Sequence, residues 1–322
     1  MKERKKSKFL TCAATLLGGL SWFANSQTLA ASITKFKLLR GYMIVIPVTV
    51  NGAGPYEFLL DTGSNTTLID AEFARALRLR PIDRVELMTV AGSQIVPRAQ
   101  LESVAIDAKS AADVEAVFSD LREARAISPE ICGVLGQNFL SRFNYLINYR
   151  ERRIEFEDGG ELEKSLCGER TPVELREGRA LITSGGRERL QLVLDSGTPA
   201  MILFNAGARV SGLYQEPDDP QTSRLSSNLG SRVVWQRRLR NFSVGGVGFH
   251  GLRVTLCEAE DGCAGRVEDG LLPTSLFQNV YFNHRKKFVM LNPTVAPKRS
   301  ARVLAGRLMA TYLPARTRAL RL

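Results

Sequence analysis

The chain has 322 residues, 44 % of them hydrophobic, and a formal net charge of +11, which is enough for two cores of ordinary domain size. The charge sits at the ends. The first eight residues carry five cations against Glu3, and residues 298–322 carry seven and no acid, so residues 27–297 are neutral. A neutral body without interleaved aromatic and basic residues excludes a nucleic-acid binder, and His250 and His284 alone, neither at metal spacing to a cysteine pair, argue against a zinc site.

Residues 1–26 read as a secretion signal: Lys2, Arg4, Lys5, Lys6 and Lys8 precede an apolar run from Phe9 to Ala24, and Ala24-Asn25-Ser26 offers a small-residue cleavage site. The expectation is an exported protein, periplasmic or secreted. The alternative is a membrane anchor formed by an uncleaved signal. Tyr42 to Val50 is a β-rich run, and Asn51-Gly52-Ala53-Gly54 a hairpin turn. It feeds Phe58-Leu59-Leu60-Asp61-Thr62-Gly63-Ser64, an apolar strand that ends in a carboxylate, a hydroxyl, a glycine and a second hydroxyl. Ala71 to Leu79 has helical spacing, with Asp70 as N-cap.

Val85 to Val90, the turn Ala91-Gly92-Ser93 and Ile95-Val96 form another hairpin. Leu101 to Ile106 reads as a strand; Val114 to Phe118 reads as a strand or as a helix continuing to Ala126. Ile131-Cys132-Gly133-Val134-Leu135 follows, then Tyr145 to Tyr149, and Glu157 to Thr171 connects to the second half.

There the order recurs. Arg179 to Thr183 is a strand, Ser184-Gly185-Gly186 a turn, and Leu190 to Leu194 a strand that runs into Asp195-Ser196-Gly197-Thr198. Glu216 to Ser227 is polar, holds two prolines and reads as a surface loop; Val233 to Leu239 and Phe242 to Val254 supply further strands. Gly270 lies 75 positions after Asp195, much as Gly133 lies 72 after Asp61, and Val280 to His284 parallels Tyr145 to Tyr149. Such agreement marks an internal duplication. Four cysteines remain after the signal: Cys132, Cys167, Cys257 and Cys263. Their connectivity is open, with Cys257 and Cys263 close enough to close a short acidic loop. The tail 298–322 reads as a solvated extension or a contact to an anionic surface.

An aspartate at the end of a buried strand is costly unless its charge is paired, shared or used. Two in matching frames imply that both carboxylates meet. Each glycine frees backbone N–H groups to donate to its aspartate, Ser64 and Thr198 can donate from their hydroxyls, and Thr62 and Ser196 can lock the two loops across a pseudo-twofold axis. Two carboxyls so placed share one proton.

These residues resemble the aspartic proteases of the pepsin and retropepsin clan, whose shared-proton dyad is an established example of this chemistry. The resemblance implies a mostly β protein with two pseudo-symmetric lobes, 27–160 and 161–297, and a cleft floored by Asp61 and Asp195. It implies peptide-bond hydrolysis by an activated water, without metal or other cofactor, in a monomer acting on a peptide or protein. It makes Val90, Ala91, Gly92 and Ser93 a substrate-binding flap, and Gly133 and Gly270 the hydrophobic-hydrophobic-Gly elements beside the catalytic loops. The flap lacks the tyrosine of pepsin-like enzymes, as retropepsin flaps do. Two alternatives stand: a homodimer that uses Asp61 alone, and a non-catalytic exported peptide-binding module.

Overall fold

The computed structural model describes residues 32–295 except 91, 158–159, 206–209, 228–229 and 259–265. The expected signal and tail, Ala91 of the flap and Cys263 lie outside the described residues.

The fold is mostly β, with short helices. Met43–Val50 is rich in β-branched residues and turns through Asn51 and Gly52, both at positive φ, the backbone that a tight two-residue hairpin requires. The return strand Ala53–Leu60 carries the chain to Asp61. It pairs antiparallel with Met43–Val50 (Ile44↔Leu60) and parallel with Ile131–Leu135 (Leu60↔Leu135). Thr67–Asp70 pairs antiparallel with Ile131–Leu135 and parallel with Lys109–Ser119.

The second half repeats these pairings. Gln191–Asp195 lies antiparallel to Arg179–Thr183 and parallel to Gly270–Pro273, with Asp195 opposite Pro273. Met201–Phe204 lies antiparallel to Gly270–Pro273 and parallel to Val247–Cys257. Gly133 and Gly270 are glycines for want of room. A Cβ at Gly133 would come 2.2 Å from the Phe58 ring, and one at Gly270 2.1 Å from the Ile202 carbonyl.

The halves are stitched by one antiparallel pair, Asn144–Asn148 with Asn279–Asn283 (Tyr145↔Phe282, Ile147↔Val280). These are the two stretches that look alike in the sequence. Around the seam the Tyr145 and Phe282 rings stack at 4.9 Å, and one apolar core runs from Ile44 and Phe58 through Tyr145 and Phe282 to Leu192 and Leu272.

Several sequence expectations are corrected. Of the expected loop Glu216–Ser227, Thr222–Ser227 is a strand paired with Gly230–Val244. The prolines Pro217 and Pro220 confine the irregular backbone to the residues before it, because proline donates no ladder hydrogen bond. Val233–Leu239 and Phe242 belong to one strand, Gly230–Val244, since the chain turns at Gly245 and Gly246, both at positive φ. The ambiguous segment resolves into both readings in succession: the strand Lys109–Ser119, then a helical turn at Arg122–Arg125. The connection after Glu157 holds a helix, Glu161–Ser165, anchored by N–H bonds from Leu162 and Glu163 to Glu157.

Candidate active site

Asp61 and Asp195 lie at the ends of equivalent strands, and the turns that follow bring them face to face. Asp61 accepts N–H bonds from Gly63 (2.8 Å) and Ser64 (3.2 Å) through Oδ1; Asp195 accepts one from Gly197 (2.6 Å). Each glycine also supports the opposite carboxyl. A Cβ on Gly63 would lie 2.4 Å from Asp195 Cγ, and one on Gly197 2.9 Å from Asp61 Cγ. Only a residue without a side chain leaves space for a carboxylate from the other half.

The loops are locked by four reciprocal bonds. Ser196 N donates to Thr62 Oγ1 (2.9 Å) and Thr62 N to Ser196 Oγ (3.0 Å). Thr62 Oγ1 donates to the Leu194 carbonyl and Ser196 Oγ to the Leu60 carbonyl, both at 2.8 Å. Thr62 and Ser196 are almost wholly buried, and every donor has an acceptor on the other half. Below this lattice Gln137, fully buried, donates from Nε2 to the Thr62 carbonyl (3.1 Å). At the equivalent place in the second half, Thr274 is hydrogen-bonded to the Tyr149 hydroxyl at 2.6 Å.

One expected contact is absent. Ser64 Oγ donates to the Thr66 carbonyl (2.7 Å) and Thr198 Oγ1 to the Ala200 carbonyl (2.9 Å). A hydroxyl has one proton, so neither donates to its aspartate, and the hydroxyls shape the turns instead.

Burial raises the affinity of both carboxyls for protons, and the two are hydrogen-bonded to each other. Asp195 is pushed well above the usual carboxylate range by burial and by the charge of Asp61; Asp61 is raised less, because N–H donors and the Asp195 bond favour its ionised form. Two buried carboxyls so placed titrate as a pair that holds one proton between them.

Two neighbours of the pair were not singled out in the sequence. The Arg179 guanidinium favours the ionised form of both carboxyls. The register that pairs Leu181 with Val193 sets Arg179 opposite Asp195, as the register pairing Ile44 with Leu60 sets Met43 opposite Asp61. Only the strand register exposes this Met/Arg asymmetry, because Met43 lies 18 positions before Asp61 and Arg179 16 before Asp195. Tyr42, half-buried, has its hydroxyl proton held more tightly by burial and by the Asp195 charge.

The expected flap is the hairpin of Asp83–Thr89 and Gly92–Ile106. Its inner residues Leu87 and Val96 pack on Leu68, Val117 and Leu121, and Val90 reaches a cluster of the second half. Ser93 is exposed. Cys132 and Cys167 are free thiols, whereas Cys257 is disulfide-bonded. Among the described residues no cluster of His, Cys, Asp or Glu is arranged to hold a metal ion, and no helix is long and apolar enough to cross a membrane.

Residues 46–139 match the family model described as Aspartyl protease. The matched span runs from the strand before Asp61, through the flap hairpin, to Gly133 and Gln137. Among solved structures, a retropepsin-like aspartic protease from Rickettsia conorii is similar at 21 % identity over 39 % of this chain and 89 % of that one, with a TM-score of 0.29. No curated protein matches the sequence. The family match covers the first half of the chain, on the residues that bear its motif.

Proposed function

We propose that this protein is an aspartic endopeptidase that hydrolyses peptide bonds with a water activated between Asp61 and Asp195 of one chain. The observation that carries the reading is the reciprocal fit, each carboxyl seated against the glycine of the opposite loop. A structural aspartate needs neither a second carboxyl nor a glycine facing it.

The chemistry follows from the single shared proton. Asp61, ionised, accepts a proton from water as its oxygen attacks the scissile carbonyl carbon. Asp195 gives its proton to the carbonyl oxygen, and a neutral gem-diol results. In the second step the amide nitrogen gains a proton from Asp61, the C–N bond breaks, and a diol hydroxyl returns its proton to Asp195. The products are a carboxylic acid and an amine, and the dyad is back in its starting state. The grip through Thr62 and Ser196 holds the two carboxyls within reach of one water, which is the positioning this chemistry requires.

A homodimer pairing two Asp61 carboxyls would leave the Asp195 loop without use, although that loop already supplies Asp61 with its partner. Export and anionic-surface contact through residues 298–322 remain parts of the same proposal and rest on the sequence alone. The test is cleavage of a fluorogenic peptide library across pH by the purified chain, resolved by gel filtration. Statine-sensitive activity in the monomer fraction is expected. Activity only in a dimer fraction, or none with any peptide, would overturn the proposal.

A further inference from the structure

The flap hairpin belongs to the first half but serves both. Its strands cover Leu68 and pack beside Val134. The equivalent residues of the second half are Ile202, seven positions after its aspartate, and Leu271, one after its buried glycine. Those two lie with Leu181, Val193 and Phe204 in a cluster against which Val90, at the flap tip, is packed. The tip is also tied by a charged donor: Arg266 Nη2 donates to the Thr89 carbonyl.

That guanidinium is built into place. It lies over the Phe204 ring at 5.3 Å and beside Glu268 at 3.7 Å, and both ionic side chains are nearly buried, at 15 % and 4 % exposure. Glu268 in turn meets Arg179 at 3.4 Å, the residue whose charge acts on the dyad. A chain of polar contacts thus runs from the flap tip through Arg266 and Glu268 to Arg179.

We infer that Arg266 is a latch: it fastens the first half's flap to the second half and sets how much of the protein stands closed over the cleft. Glu268 is its positioning residue, holding the guanidinium aimed at Thr89. Lifting the flap exposes Val90 and the apolar cluster and leaves a nearly buried cation without its carbonyl acceptor, so the closed state is favoured before any peptide binds. Arg266 does not touch the reacting atoms. Its effect is on capture of the peptide, a consequence that rests on the peptidase reading, whereas the latch itself does not.

Hydrogen–deuterium exchange of the full chain without substrate tests the latch independently of catalysis. Arg266→Met keeps an apolar stem over Phe204 and removes the donor. Exchange in the segment 87–93 should quicken roughly tenfold, with other segments unchanged, if one charge-assisted bond holds the flap. Glu268→Gln, which leaves Arg266 present but unpinned, should quicken it by about threefold on the same basis. With a cleaved peptide, Arg266→Met should shift KM by less than the exchange rate while kcat and the pH profile stay put, the pattern of altered binding and not of altered chemistry. Wild-type exchange at the flap in both variants would overturn the latch. So would faster exchange throughout the second half, which would make Arg266 a packing residue. A responsive flap in a chain that cleaves no peptide would leave the latch standing and refute the peptidase reading.

Discussion

His284 is stacked on Phe282, with the rings 7° apart, and tilted on Tyr145; neither of its ring nitrogens has a hydrogen-bond partner among the described residues. Burial lowers its pKa to about 4. A base held below its unfolded value binds fewer protons folded than unfolded, so stability falls as pH drops from about 6.5 toward 4, by about 3 kcal/mol at most. His284→Phe should flatten the melting temperature over that window, and an unchanged pH dependence would place the acid sensitivity elsewhere. The carboxyl pair has the opposite sign. Acids raised above their unfolded value stabilise the protein at low pH and cost stability as pH rises through the folded value. Arg179 moderates this by favouring the charged forms. Arg179→Met, which copies Met43 of the first half, should move both limbs of the kcat/KM profile to higher pH, the acid limb reporting protonation of Asp61. An unmoved profile would mean that its charge is screened from the dyad.

Among the elements, the two aspartate-bearing turns depend on each other through four hydrogen bonds between the halves. Ser196 Oγ donates to the Leu60 carbonyl and accepts from Thr62 N. Ser196→Ala removes both bonds, leaves the buried Thr62 N–H without this acceptor, and should cost about 2–4 kcal/mol in denaturant unfolding. Ser64→Ala loses one bond in a partly exposed turn and should cost about 1 kcal/mol on the same scale. Equal costs would show that the grip is not what joins the loops. This grip was legible in the sequence, because a hydroxyl follows each aspartate and the flanking strands repeat. The direction of the Ser64 and Thr198 hydroxyls was not, since a turn offers a serine several acceptors and only the backbone path chooses among them. Strand Thr222–Ser227 was hidden by polar composition and gets its place from pairing with Gly230–Val244, an override of local preference by a tertiary partner. Arg179 and Arg266 carry no local motif. Their significance comes from register and from a contact 177 residues away in the chain.

Across the whole molecule, the repeated strand order, the shared pair Asn144–Asn148 with Asn279–Asn283 and the reciprocal loops make one site from two halves. Neither half completes it alone, since each supplies one carboxyl and the glycine that accommodates the other. The most direct test of this account is peptide cleavage by Asp61→Asn, Asp195→Asn and the double variant, each confirmed as folded. Two groups acting on one transition state are non-additive, so each single variant should abolish cleavage and the double should be scarcely worse than either. Near-wild-type cleavage by Asp195→Asn, with none by Asp61→Asn, would contradict the intrachain dyad and leave the homodimer in its place.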